Sequence, residues 1–199
     1  KLILITLSSF VVAFAAPWIG LGDIKNVIVQ QQILLDIRLP RVLFAFVAGA
    51  GLSLCGMVFQ AMFHNPLATP FTLGVASGAS FGAACTVFLG INVSLFGFDI
   101  ITIGAFIGAL VAITFVFFIS QLQRGFSSET LLLTGVATSF FFSSLILFIQ
   151  YLSDMTDSFM IMRWLMGGLT SASYHSLLQL IPVVTVSTAI ILWLSRELN

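Results

Sequence analysis

Apolar residues run along this chain in blocks longer than a soluble core uses. Five stretches, 2–22, 42–98, 100–123, 130–153 and 164–195, contain no Asp, Glu, Lys or Arg, and together they take up 158 of the 199 residues. A helix of about 20 apolar residues crosses roughly 30 Å of hydrocarbon, so each stretch can hold at least one span. The 57-residue stretch is too long for one helix, and it divides at His64-Asn65-Pro66-Leu67-Ala68-Thr69-Pro70, where two prolines break any helical ladder. The pattern predicts six spans, at about 2–22, 42–63, 73–91, 100–122, 130–152 and 177–194.

Between the spans the chain turns polar. Residues 23–41, with Asp23, Lys25, Asp36, Arg38 and Arg41, read as a partly helical extramembrane connection ending in an X-Pro turn. Asp99 marks a short loop and 124–129 a tight polar connection. Asp154, Asp157 and Arg163 are expected in a longer loop, with an irregular segment starting at Gly167-Gly168.

Small residues recur at helical spacing. Gly74, Gly78 and Gly82 form GxxxGxxxG, and Gly104, Gly108 and Ala112 repeat the spacing on the fourth span. Lipid supplies little hydrophobic drive between helices, so such positions favour packing through close backbone approach. They predict a tight bundle and name no function.

Composition narrows the class. Charged residues are 7% of the chain against about 25% in soluble domains, and seven basic and seven acidic residues cancel. No basic face exists to neutralise phosphates, which excludes nucleic-acid binding by that route. Disorder is excluded by the abundance of apolar surface. The first apolar run, 2–22, exceeds the roughly 7–15 residues of a signal-peptide h-region, so it reads as a span. A span starting directly after Lys1 suggests a trimmed N-terminus. Cys55 and Cys85 both fall inside predicted spans and read as small hydrophobes.

The chemistry of enzymes is hard to assemble. His64 and His175 are the only histidines, and neither has a His at i+3 or i+4 or a nearby Cys, which argues against metal and haem sites. No predicted span centre carries a charge, so a proton relay or ion-coupled carrier would lack its intramembrane group. No GxxxxGK[ST] loop is present, so the chain is not expected to hydrolyse ATP or act as an enzyme.

Residues 38–82 carry a resemblance. Arg38-Leu39-Pro40-Arg41, the Gly49-to-Gln60 run, Asn65-Pro66-Leu67-Ala68-Thr69-Pro70 and the Gly74-to-Ala79 segment are similar to ordered blocks of the permease subunits of type II ABC importers. These are the iron-siderophore, haem and cobalamin (FecCD-like) permeases. Leu131-Leu132-Leu133-Thr134-Gly135-Val136-Ala137 resembles their opening of helix five, and Trp164-Leu165-Met166-Gly167-Gly168-Leu169 a further block. The resemblance implies an all-α, polytopic membrane helix bundle, with residues 1–199 as one transmembrane permease domain. About six helices of a ten-helix permease would be present, and the cytoplasmic coupling helix that docks on the ATPase would follow residue 199.

Roles follow from the resemblance. Arg38 and Arg41 would lie on the periplasmic face and pair with glutamates of a substrate-binding protein; the alternative is interfacial anchoring by snorkelling. Asn65, Pro66 and Pro70 would line the pathway near its cytoplasmic side, or serve only as a helix break. Ser127, Ser128 and Glu129 would form part of the gate, although Glu129 stands where a small polar residue is common; Ser127 or Ser128 also suits a helix N-cap. Thr134, Thr138 and Ser139 would supply the polar wall of the pore, with Phe140 to Phe142 turned to lipid or packed helices. Gly49, Gly74, Gly78, Gly82, Gly104 and Gly108 are assigned to helix packing. With the N-terminus inside, Lys1, Arg124 and Arg196 lie inside and Lys25, Arg38, Arg41 and Arg163 outside, so the positive-inside count is indecisive and the family orientation is followed.

The function implied is import of an iron-siderophore complex across a bacterial cytoplasmic (inner) membrane. Haem, cobalamin or another metal chelate is the alternative cargo, and a secondary transporter the alternative class. Partners would be a second permease subunit, ATP-binding cassette ATPases that bind ATP and Mg, a periplasmic or lipid-anchored binding protein and membrane lipid. No cofactor or metal is expected in this chain.

Overall fold

The computed structural model describes residues 2–19, 27–91, 93–95, 97–122, 127–169 and 172–194. Lys1, Lys25, Arg124 and Arg196 of the charge count, the end of the first predicted span and the residues after 194 lie outside the described residues. The described chain is helical, apart from a hairpin pairing Ser94–Leu95 (β1) with Phe98–Asp99 (β2). Four helices are long and apolar enough to cross a membrane: Ile28–Phe63, Ile100–Leu122, Ser128–Leu152 and Tyr174–Leu194. The chain divides into two compact units, one of residues 1–54 with 168–199 and the other of residues 55–167.

The first unit holds α1 (Leu2–Ala15), which runs into a 3-10 turn at Ala16–Trp18, and a long helical run further on. That run begins with α2 (Val27–Gln32), loosens into a π-helical segment over Ile33–Arg38 and continues as α3 (Leu39–Phe63). From Ile28 it holds 36 residues. At about 1.5 Å per residue that is far longer than a bilayer core, so its charged end must project beyond the hydrocarbon. The expected partly helical connection is therefore continuous with the second span. The unit's last element is α8 (Tyr174–Leu194), with Pro182 inside it.

The second unit is built around α4 (Val75–Phe88), α5 (Ile100–Leu122) and α6 (Ser128–Leu152). Gly78 and Gly82 of α4 lie against Gly108 and Gly104 of α5, so the two helices run antiparallel. A Cβ on any of these four glycines would come closer than 3.0 Å to the backbone or side chain of the facing helix. Beyond that seam, Ala84, Val87, Ile146, Ile149 and Ile161 form a buried cluster, with Phe81, Cys85 and Ile101 packed on it. The Phe81 and Phe142 rings meet at 5.3 Å.

Two expectations need correction. The third span was expected at 73–91, but α4 has only 14 residues, about 21 Å of rise. Glycines in left-handed conformation bound it, Gly74 (φ 76°) at its start and Gly90 (φ 62°) beyond its end. The second correction falls on 154–163, expected as loop, where α7 (Met155–Met166) forms instead. The Asp154 side chain accepts from the Asp157 amide at 2.8 Å, Arg163 lies in the last turn, and Gly167 (φ 68°) ends the helix. Cap, dipole and C-terminal glycine are the ordinary start and stop signals of a helix. Ile161, 2% exposed, anchors it in the core of its unit.

Candidate functional site

The segment between α3 and α4 is folded by local hydrogen bonds. His64 takes a left-handed conformation (φ 49°), and the His64 and Asn65 amides donate back to the Ala61 and Gln60 carbonyls, closing α3. Asn65 Oδ1 then accepts from the Leu67 amide at 2.9 Å, which turns the chain through exposed Pro66. Further on, the Thr69 amide donates to Thr72 Oγ1 at 3.0 Å and the Thr72 hydroxyl donates to the Thr69 carbonyl at 2.7 Å, spanning half-buried Pro70. Ala68 is fully buried and Leu73 nearly so. Irregular backbone of this kind is tolerated at membrane depth only where protein covers it.

What covers it is α6. A Cβ on Gly135 would fall closer than 3.0 Å to the Thr72 carbonyl oxygen and the Leu73 Cα, so the loop backbone rests directly on the helix there. At Gly74 an added Cβ would lie 3.2 Å from the Gly135 carbonyl oxygen, 3.4 Å from Thr138 Cγ2 and 3.5 Å from Ser139 Oγ. The structure thus brings Thr72, Leu73 and Gly74, at the end of the loop, against Gly135, Thr138 and Ser139 of α6.

That face is largely enclosed. Thr134 is 8% and Thr138 2% exposed, and the Thr138 hydroxyl donates to the Thr134 carbonyl at 2.8 Å. Ser139 is half-buried and its hydroxyl donates to the Gly135 carbonyl at 3.0 Å. Both hydroxyls are satisfied within the helix, which suits a dry setting. Thr134 and Thr138 also form the floor of a recess of about 400 Å³ between α5 and α6, bounded by Phe115, Ile119, Leu133 and Phe141. Phe140 and Phe141 are exposed, whereas Phe142 is 4% exposed and packed inward.

At the start of α6, Ser127 is the N-cap: its Oγ accepts from the Thr130 amide at 3.2 Å. Ser128 and Glu129 sit in the first turn, where a carboxylate suits the positive end of the helix dipole. Glu129 is exposed and Ser128 half-buried, and this end of α6 is well removed along the helix from Thr138.

Arg38 and Arg41 flank buried Pro40 where the π-helical segment passes into α3. An Arg38 guanidinium nitrogen donates to the Pro17 carbonyl at 3.1 Å and to the Ile19 carbonyl at 2.7 Å. Gly49, expected to pack, is exposed, and an added Cβ would meet nothing within 4 Å among the described residues. Gly51, two residues on and absent from the expected set, is the close contact on that helix, where an added Cβ would lie 3.3 Å from Val184. Gly135 was likewise missed as a packing position. Its place in the Leu131-to-Ala137 block was visible, but a lone glycine in an apolar run does not reveal a loop crossing over it.

Comparison with known proteins decides the family. A sequence profile of the FecCD transport family matches residues 2–199. The chain belongs to the FecCD transport family. Over 172 residues, 86% of this chain and 50% of the relative, it is 40% identical to a molybdate import system permease protein of Haemophilus influenzae. It is 34% identical to a cobalamin import system permease protein of Halobacterium salinarum, over 94% of this chain and 48% of that one. An achromobactin transport system permease protein of Dickeya dadantii shares 35% identity, over 80% of this chain and 44% of the relative. A solved structure, described as an inward-facing ABC transporter of metal-chelate type, superposes with a TM-score of 0.78 at 32% identity, covering 98% of this chain and 63% of its own. The chain spans about half the length of the curated relatives it matches.

Proposed function

We propose that this FecCD-family chain supplies part of the permease subunit of a binding-protein-dependent ABC importer, with an iron-siderophore complex as cargo. The observation that carries the reading is the 72–74 end of the loop, seated on α6 at Gly135. It places that end of the loop and Thr138 in one uncharged neighbourhood, as a passive conduit driven from outside requires. A second permease, ATPases binding ATP and Mg, and a periplasmic or lipid-anchored binding protein would complete the machine in the bacterial inner membrane. Conformational switching would come from ATP hydrolysis in the ATPases. Arg41, with Arg38 beside it, marks the mouth where the binding protein would dock through charge-assisted pairs.

Cargo is the finer part of the proposal. The described spans carry no charge at their centres, which favours a metal wrapped in an organic ligand over a bare ion. The 40% identity to a molybdate import permease favours an oxyanion as the second reading. The test is uptake into proteoliposomes holding the full-length permease, with an ATPase and a binding protein from the same genome. ATP-dependent accumulation of a ferric siderophore, with cobalamin and molybdate excluded, is expected. Accumulation of molybdate alone would move the cargo to the second reading, and uptake independent of ATP would sink the importer reading.

A further inference from the structure

The Ile33–Arg38 segment is wound as a π-helix, and the local sequence explains one feature of it. In π winding each carbonyl accepts from the amide five residues on, and the Leu39 amide does donate to the Leu34 carbonyl. The next rung would join the Leu35 carbonyl to the amide of residue 40. Residue 40 is proline and has no N–H to give. The Leu35 carbonyl instead accepts from the Tyr174 hydroxyl at 2.8 Å, a donor 139 residues away at the start of α8.

The same segment is held from a second direction. The carbonyls of Pro17 and Ile19 lie at the end of the 3-10 turn that follows α1, where the backbone of Ile19 is extended. Arg38 supplies both, at 3.1 and 2.7 Å. Two side chains thus join three segments distant in sequence, at residues 17–19, 35–38 and 174. Each bond ends on a backbone carbonyl that a regular helix would have satisfied. Pro17 and Pro40, the prolines beside the two breaks, are both buried.

We propose that Arg38 and Tyr174 are positioning residues that clamp the π-helical turn and fix the direction in which the Arg41 end of the span is presented. On this view Arg38 acts inside the chain, through the Pro17 and Ile19 carbonyls, whatever contact Arg41 makes. The consequence for docking rests on the importer reading; the clamp does not.

Hydrogen–deuterium exchange on the full-length chain in phospholipid nanodiscs tests the clamp. Loss of one net hydrogen bond in Tyr174→Phe should raise exchange at 33–38 about fivefold, with 52–63 unchanged. In a Pro40→Ala background residue 40 regains its amide, so adding Tyr174→Phe should change nothing further. Arg38→Gln should loosen the same amides, and Arg38→Lys should restore part of the protection. Unchanged exchange in Tyr174→Phe, or an equal effect with and without Pro40, would overturn the proposal.

Docking supplies the second readout, with a binding protein from the same genome titrated at low and high salt. A positioning Arg38 predicts weaker docking in both Arg38→Gln and Tyr174→Phe, with the salt dependence kept. A salt dependence flattened by Arg38→Gln alone would make Arg38 a direct contact and overturn its assignment. If the unaltered chain binds no such protein, the importer reading fails, and exchange at 33–38 still decides the clamp.

Discussion

The helices α6 and α8 have nearly the same mean hydropathy, 2.1 and 2.2, yet a third of the apolar window of α6 is buried within the structure and only 6% of that of α8. Hydropathy therefore reports that a helix can cross a membrane and says little about what it packs against. The difference lies in small residues and their register. α6 presents Gly135, Thr138 and Ser139 to the 69–74 loop and Phe142 to Phe81, while the four seam glycines let α4 and α5 meet backbone to backbone. On α8, Leu178, Val183, Val186, Ile190, Leu192 and Trp193 stand exposed. In lipid, where burial of apolar side chains brings little gain, close backbone approach is what holds α4, α5 and α6 together.

The comparison breaks most sharply at the seam. Gly82→Val or Gly108→Val puts atoms where the facing backbone already lies, and a loss of about 3 kcal/mol or more is expected, seen as failure to recover folded protein in detergent. Gly135→Ala lifts the Thr72–Leu73 backbone from α6. A loss of about 1–3 kcal/mol in thermal unfolding is expected there, together with impaired uptake in the reconstituted importer. Ser127→Ala removes the cap of α6 and should cost about 1 kcal/mol, with Ser127→Asp retaining stability in the same melt. Gly49→Ala is the control, because its added Cβ meets nothing among the described residues. Its melting temperature should hold or rise, by an amount worth up to about 1 kcal/mol of helix propensity. A destabilised Gly49→Ala beside a tolerated Gly82→Val would reverse the lesson drawn from the two regions.

Much of the helical layout was legible because charge marks the ends of apolar runs. The fourth predicted span, 100–122, coincides with Ile100–Leu122, the fifth and sixth differ from the observed helices by two or three residues at their starts, and the second lies within the longer run Ile28–Phe63. Where the boundary is conformational, the reading slipped. Nothing in the hydropathy of 73–91 signals that Gly74 and Gly90 take positive φ and shorten α4. The polar character of 154–163 pointed to a loop, although Asp154, Arg163 and Gly167 are helix signals once weighed together. For the candidate site, the Asn65-to-Pro70 loop and the α6 hydroxyls were each visible as residues. The contact of residues 72–74 with α6 was not, because it depends on a carbonyl passing over Gly135.

The linear order of apolar and charged residues determined by itself that this chain is a membrane helix bundle, since each span needs only its own length and composition to be favourable in lipid. Its motif blocks pointed to the family in the same way, residue by residue. Only the tertiary structure decided which glycines pack, that a folded loop precedes α4, and that Arg38 and Tyr174 converge on the π-helical turn. These depend on distances between segments far apart in sequence, where a single Cβ or a missing proline N–H changes what can fit.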